Sequence, residues 1–381
     1  MRKYASVNKS VSHFFSQPAS KPLICVHDQF IIRGGGERLI LELARALQAD
    51  LMAGTVSSDS FPLETLAGSV FNLNAPGRWP GLKTWQLVRA FQHHAHALRP
   101  YHTALYSGVA APLAVHGHDT GRNVFYCHTP PRFLYDKKDH YLDALNPLAS
   151  MGLKALNRWF RPRYEHAVSL MDVVVANSRH IQKRIKYYLG RDSVVVYPPC
   201  DTNRFSQAAK QAMPGHFYLS TARLDPLKRV DTVIRAFRRL PDKQLVVASG
   251  GSETQKLRAL AGDASNIHFT GWLDDRQYEQ LLAQCLATIY IPKDEDFGMS
   301  PVESMAAGKP VFCSDHGGLQ ETVINQETGF FIDETRLEDA LVETISRVTP
   351  GQLANMQSAC QHRAADFDSS RFIKKMAALL E

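Results

Sequence analysis

Two cations and two carboxylates dominate the chemistry that the second half of this 381-residue chain could perform. Arg223 and Lys228 stand in the stretch STARLDPLKR, and Glu295 and Glu303 in DEDFGMSPVESMAAGKPV. Two cations across a strand-to-helix turn can grip a diphosphate from two sides. Each charge-assisted bond contributes roughly 1.5–3 kcal/mol, and a helix N-terminus adds its own attraction for phosphate. A carboxylate accepts two O–H bonds and so suits a vicinal diol. Plainer roles exist for the same residues. Arg223 or Lys228 could form a surface ion pair with Asp225. Ser300-Pro301-Val302-Glu303 reads as a capping box, with Ser at N-cap, Pro at N1 and Glu at N3, so that Glu303 returns a bond to the Ser300 backbone. Glu295 has no such explanation. It follows the strand-like run LATIYIP in a loop, where open α/β sheets bind ligands, and a loop carboxylate is expected to support activity more than fold.

The first half offers a glycine turn and a histidine. Arg33-Gly34-Gly35-Gly36-Glu37 separates a strand-like run from the helical ERLILELARAL. Small residues there, Gly35 among them, let a ligand approach the backbone at a helix start. The turn is not G-x-G-x-x-G, which disfavours a nicotinamide site. His128, in YCHTPPRFLYD, ends a strand-like run and is followed by two prolines that restrict the backbone. Basic residues cluster from Lys154 to Arg191 with Trp159, Phe160, Tyr187 and Tyr188 interleaved. That mixture suits an anionic membrane surface. No nucleic-acid module accompanies it, so nucleic acid is not expected as a partner.

The elements that must position these groups alternate. KPLICVHDQF, DLMAGTV, HTALYSG, NVFYCHT, MDVVVAN and SVVVYPPC read as strands with helices between them, and HFYLSTARL, QLVVASGG, NIHFTGWL, ATIYIP, PVFCSD and TGFFID repeat the pattern. Such alternation means βαβ units and parallel sheets, hence an α/β fold of two doubly wound Rossmann-like domains. The polar, non-periodic CDTNRFSQAAKQAMPG reads as the linker, which places the domains at 1–200 and 201–381. Up to Tyr197 the chain has 24 Lys/Arg against 13 Asp/Glu; beyond it, 20 against 24. The first domain therefore faces something acidic. The six cysteines form no C-x-x-C pair, which fits free thiols in a reducing cytoplasm. No run of about 18 apolar residues could span a bilayer. The first 20 residues lack an apolar signal core and read as a loose tail.

ARLDPLK followed by E-x7-E, in this order and together with the glycine turn and the His-x-x-Pro stretch, resembles the retaining glycosyltransferases of family 4. The resemblance implies the GT-B fold, with the two domains facing a central cleft and the terminal helix crossing back onto the first. It implies that Arg223 and Lys228 bind the diphosphate of a nucleotide-sugar donor. Glu295 would bond sugar hydroxyls, assisted by backbone N–H groups of Phe297, Gly298 and Met299. Glu303 would bond the ribose, the loop around Gly271 and Trp272 would hold the base, and Gly35 would face the donor. His128 would contact the sugar near the reacting centre. Asp294-Glu295-Asp296 also spells the D-x-D that holds a metal in other glycosyltransferases. Because Arg223 and Lys228 already supply positive charge, neither a metal nor any other cofactor is expected. YCHTPPRFLYD further resembles bacterial mannosyltransferases of surface polysaccharides. This implies GDP-mannose as donor, a polyprenyl-diphosphate-linked glycan as acceptor, and a peripheral position at the inner face of the cell membrane. The competing readings are a sugar-nucleotide epimerase or hydrolase, and a non-catalytic nucleotide-sugar-binding protein.

Overall fold

The computed structural model describes residues 21–75, 80–143, 145–213 and 215–381; the N-terminal tail lies outside them. The chain divides into two compact units. The first comprises the described residues up to Ala176 with Ile181–Val195 and Lys375–Glu381; the second comprises Asn177–His180 and Val196–Lys374.

In the first unit, the strands among the described residues are β1 (Lys21–Phe30), β2 (Asp50–Val56), β3 (Val70–Asn72), β4 (Tyr101–Ser107), β5 (Arg122–Cys127), β6 (Val173–Ala176) and β7 (Val194–Val195). They form one parallel sheet in the order β3-β2-β1-β4-β5-β6-β7. Ile24, Cys25 and Val26 on β1 are fully buried, as expected of a strand covered on both faces. Helix Gly35–Ala46 packs Leu39, Ile40, Leu43 and Ala44 inward, a spacing that makes one apolar stripe. One strand reading shifts, and one strand has no counterpart among the runs read from the sequence. SVVVYPPC contributes only Val194 and Val195 to the sheet; the chain leaves the ladder at Val196, where the second unit begins. The edge strand β3, three half-buried residues, is too short to show a periodicity. The chain end belongs to this unit: the Thr103 hydroxyl donates to the Leu380 carbonyl at 3.0 Å, and Arg122 Nε donates to Leu379 at 3.0 Å.

The second unit holds β8 (Phe217–Ser220), β9 (Gln244–Ala248), β10 (Ile267–Gly271), β11 (Ala287–Tyr290), β12 (Val311–Ser314) and β13 (Gly329–Ile332). Their order is β10-β9-β8-β11-β12-β13, again parallel. The order reverses between β8 and β11, which is the doubly wound pattern with a topological switch point. The segment read as a linker is largely a helix, Thr202–Gln211. The Asp201 side chain caps it by accepting from the Arg204 N–H at 3.0 Å, and Phe205 enters the core edge-on to Tyr278. One fully buried side chain in ten residues leaves too little periodicity to read. Phe205→Ala is expected to cost about 3–5 kcal/mol, as large core truncations do, measured as a lowered urea midpoint. An unchanged midpoint would mean the helix carries no stability.

Candidate active site

The loops that leave β8 and β11 diverge at the switch point of the second sheet. They are 221–229 and 291–298, and the Lys293 N–H ties them by donating to the Leu227 carbonyl at 2.8 Å. A short 3-10 turn, Pro226–Lys228, ends at Arg229, which is left-handed with φ 53°. Helix Val230–Arg238 starts only after it. The turn delivers Lys228 to Glu295: Nζ lies 2.8 Å from Oε2, with the side chains 20% and 17% exposed. The Tyr290 hydroxyl, at the end of β11, completes a triangle. Lys228 donates to it at 3.0 Å, and it donates to Glu295 Oε2 at 3.1 Å. Burial alone would lower the Lys228 pKa, but Tyr290 and Glu295 outweigh it and raise the pKa, so the ammonium persists. Burial, then Glu295, push the Tyr290 phenol up as well. This ion pair alters the expected role of the loop carboxylate. Removing Glu295 would strand a mostly buried cation, which is costly.

The other residues of this region are placed as follows. Arg223 is 60% exposed and lies 3.9 Å from Asp225, at the limit of an ion pair. Arg229 bonds Glu334 at 2.8 Å. The Phe297 ring is buried, stacked on Tyr197 and edge-on to Phe367, so only its backbone can serve a ligand. Gly298 has φ 93° and caps helix Met299–Ala306, whose first residue is Met299. The capping box therefore does not form. Glu303 sits deeper in the helix, 9% exposed, and accepts from the Tyr278 hydroxyl at 2.9 Å. Gly271, φ 74°, ends β10, and Trp272 beside it is 71% exposed. A Cβ on Gly250 would lie 2.4 Å from the Trp272 indole nitrogen, so the indole rests on bare backbone. Asp294 approaches His316 at 3.4 Å.

In the first unit, His128 follows β5 and packs on the glycine turn. A Cβ on Gly36 would lie 3.4 Å from its Nε2, and Gly35 opens the helix that begins there. Ser107, at the end of β4, places Oγ 2.9 Å from His128 Nε2 and 3.1 Å from His27 Nδ1. Burial pushes the His128 pKa down to about 4 and that of His27 down to about 3. Both rings are therefore neutral at pH 7. Asp28 on β1 accepts backbone N–H bonds from Val109, Ala110 and Ala111 at 2.7–2.9 Å, which fixes the turn after β4.

Sequence reasoning passed over Tyr290, His27, Ser107 and the pair Gly317-Gly318. Nothing in their own neighbourhoods marks the first three; the signal is position on neighbouring strands on either side of a switch point. The glycines matter because they back the Glu295 loop. A Cβ on Gly317 would lie 2.5 Å from the Glu295 carbonyl, and one on Gly318 2.3 Å from that of Asp296. The Gly318 N–H also donates to the Glu295 carbonyl at 2.9 Å.

Two doubly wound parallel units in series are the α/β architecture of the GT-B fold. Residues 33–204 match the family described as Glycosyltransferase Family 4, and residues 201–366 match Glycosyl transferases group 1. The chain belongs to this glycosyltransferase family. It is 25% identical over 289 residues to the mouse alpha-1,3/1,6-mannosyltransferase ALG2, covering 67% of this chain and 66% of that protein. It is 30% identical over 202 residues to the GDP-mannose-dependent alpha-(1-6)-phosphatidylinositol monomannoside mannosyltransferase of Mycobacterium tuberculosis, covering 46% of this chain and 52% of that one. The matches thus span between about half and two thirds of these relatives' length. Among solved structures, Anabaena Alr3699/HepE in complex with UDP and glucose superposes with a TM-score of 0.73 at 20% identity, covering 94% of this chain and 98% of that one. The sucrose-phosphate synthase of Thermosynechococcus elongatus gives 0.76 at 17%, with the same coverages. Both attest the fold.

Tyr290→Phe keeps the ring and removes only the hydroxyl shared by Lys228 and Glu295. Hydrogen bonds to charged groups contribute about 1.5–3 kcal/mol, so kcat/KM in sugar transfer is expected to fall roughly 10–100-fold, with the protein still folded by circular dichroism. Wild-type kcat/KM in this variant would reduce the hydroxyl to a bystander.

Proposed function

We propose that the chain is a retaining glycosyltransferase that moves mannose from GDP-mannose to a lipid-linked oligosaccharide in surface polysaccharide assembly. The observation that carries this reading is the Lys228–Glu295–Tyr290 triangle at the switch point of the second sheet. An ammonium has three donors. Two are spent on Tyr290 and Glu295, and the third suits a phosphate oxygen. On Glu295, Oε2 takes both bonds, from Lys228 and from Tyr290, and Oε1 suits a sugar hydroxyl. One cluster can thus touch the leaving diphosphate and the hexose together. Mannose and GDP are supported by the names of the relatives.

In this scheme, departure of the nucleotide leaves oxocarbenium-like charge at the anomeric carbon. Lys228 and the exposed Arg223 stabilise the negative charge growing on the diphosphate. Backbone groups at Phe297, Gly298 and Met299 assist Glu295 on the sugar, Glu303 takes the ribose, and Gly271 and Trp272 take the base. His128 contacts the sugar, and Gly35 faces the donor. The leaving phosphate helps to take the acceptor proton on the same face, which gives retention. Lys228 and Arg223 do the work that a metal does elsewhere, so the scheme uses none. The test is a panel of GDP- and UDP-sugars with membrane extract as acceptor and NMR of the product's anomeric centre. GDP-mannose is expected to give a product of retained configuration. Lys228→Ala combined with Glu295→Gln, which leaves no unpaired buried charge and is checked for folding by circular dichroism, should weaken GDP-mannose binding by at least about 10–100-fold by calorimetry, the scale of a charged hydrogen bond. Transfer from another donor only, or inversion, would contradict the scheme.

We also place the acceptor at an anionic membrane face. Among the described residues no helix is long and apolar enough to cross a membrane. Several of the clustered cations serve the protein itself: Arg184 bonds Asp136, Lys186 bonds Asp192, and Arg191 bonds the carbonyls of Ser169 and Met171. The surface that remains lies earlier. Tyr141, Leu145, Leu148 and Met151 are exposed, Leu148 at 75%. Tyr141 and Leu145 precede helix Pro147–Ser169, and Leu148 and Met151 lie in its first turns, followed by the exposed Lys154 and Arg158. Apolar side chains beside cations suit insertion at a charged bilayer surface. The wild type is expected to sediment with anionic vesicles at low salt, and Leu148→Glu with Met151→Glu to remain in the supernatant. Equal recovery of both would refute this surface.

A further inference from the structure

We propose that His27 and Ser107 are positioning residues that set which ring nitrogen of His128 carries the proton. Ser107 Oγ lies 3.1 Å from His27 Nδ1 and 2.9 Å from His128 Nε2. A hydroxyl has one hydrogen, so between two ring nitrogens it donates to one and accepts an N–H from the other. Each neutral imidazole has one N–H. If His27 holds its proton on Nδ1, Ser107 accepts it and donates to His128 Nε2, and the His128 proton then sits on Nδ1. The reverse arrangement puts both protons on Nε2. The two rings therefore share one tautomer.

The surroundings enforce the arrangement. Ser107 is fully buried and His27 is 5% exposed, so water cannot readily replace either bond. The His128 ring is held between Tyr126, 5.1 Å away between centroids, and the backbone of Gly36, where a Cβ would meet Nε2 at 3.4 Å and Cε1 at 3.5 Å. The depressed pKa values keep both rings neutral at pH 7, so each has a tautomer to set. Ser107 ends β4, His128 follows β5, and His27 on β1 pairs in register with Ser107, so the three lie together on neighbouring strands. The consequence is chemical. With Nε2 committed to Ser107, His128 offers Nδ1 to a ligand, and its character as donor or acceptor is decided by residues that need not touch the ligand. That catalytic consequence rests on the role proposed above for His128; the coupling of the tautomers does not.

The test uses the full chain labelled with 15N in the histidine rings, observed by long-range 1H–15N NMR at pH 7. Signals are assigned with His27→Asn and His128→Gln. His27 and His128 are expected in the same neutral tautomer. In Ser107→Ala, His128 should change to a mixture of tautomers, and kcat should fall about tenfold, the scale of one hydrogen bond, with donor KM within about twofold. His27→Asn, whose amide occupies the place of Nδ1, should retain more activity than His27→Leu. Opposite tautomers, a His128 imidazolium at pH 7, an unchanged His128 spectrum in Ser107→Ala, or an unchanged kcat in that variant would each overturn the proposal. A wild type with the shared tautomer but no sugar transfer would instead overturn the function proposed above.

Discussion

A lysine and a glutamate 2.8 Å apart, each with most of its side chain out of water, hold the chemistry of the second unit in place. Neither charge would be tolerable there alone, since an unpaired buried ion costs several kcal/mol. Each therefore requires the other, and the backbone between them is shaped to that requirement. The 3-10 turn before Lys228, left-handed Arg229, left-handed Asp294 and Gly298, and the bare backbone of Gly317 and Gly318 bring two loops to one point. Non-glycine residues at positive φ are costly and persist where their surroundings over-determine them. Two of them, Arg229 and Asp294, flank this ion pair in the chain.

The fold was legible in the sequence, and the ion pair of Lys228 with Glu295 was not. Strand-helix alternation gave two parallel sheets, and the order of Arg223, Lys228, Glu295 and Glu303 along the chain pointed to one ligand chemistry. What escaped has physical reasons. Tyr290 sits in ATIYIP, where an aromatic reads as an ordinary strand residue; its hydroxyl gains meaning only because β11 pairs with β8 across the switch point. Glu303 was ambiguous because a capping box and a ligand site share a motif, and the left-handed Gly298 that moved the helix start cannot be read from Ser-Pro-x-Glu. The helix over Thr202–Gln211 was hidden by its polar composition. It is anchored by the Asp201 cap, by the buried Phe205 ring and by polar bonds from Thr202 to Asp368 and from Arg204 to Glu279.

The two sheets solve a similar problem with different chemistry. Each groups its polar side chains where β1 or β8 meets its fourth-strand neighbour, β4 or β11. In the second unit the group is ionic and stays charged. In the first it is a neutral chain of two rings and a hydroxyl, deep enough that the rings shed their protons well below pH 7. Glycines serve both places by letting backbone approach: Gly36 against His128, and Gly317 and Gly318 against the Glu295 loop.

The claim at the centre is that Lys228 receives the donor's diphosphate while Glu295 stays beside it. A crystal structure of the protein with GDP-mannose bound measures this directly. The account expects a phosphate oxygen about 2.8 Å from Lys228 Nζ and a sugar hydroxyl at hydrogen-bond distance from Glu295. A diphosphate bound away from Lys228, with the ion pair untouched and no sugar contact at Glu295, would contradict it.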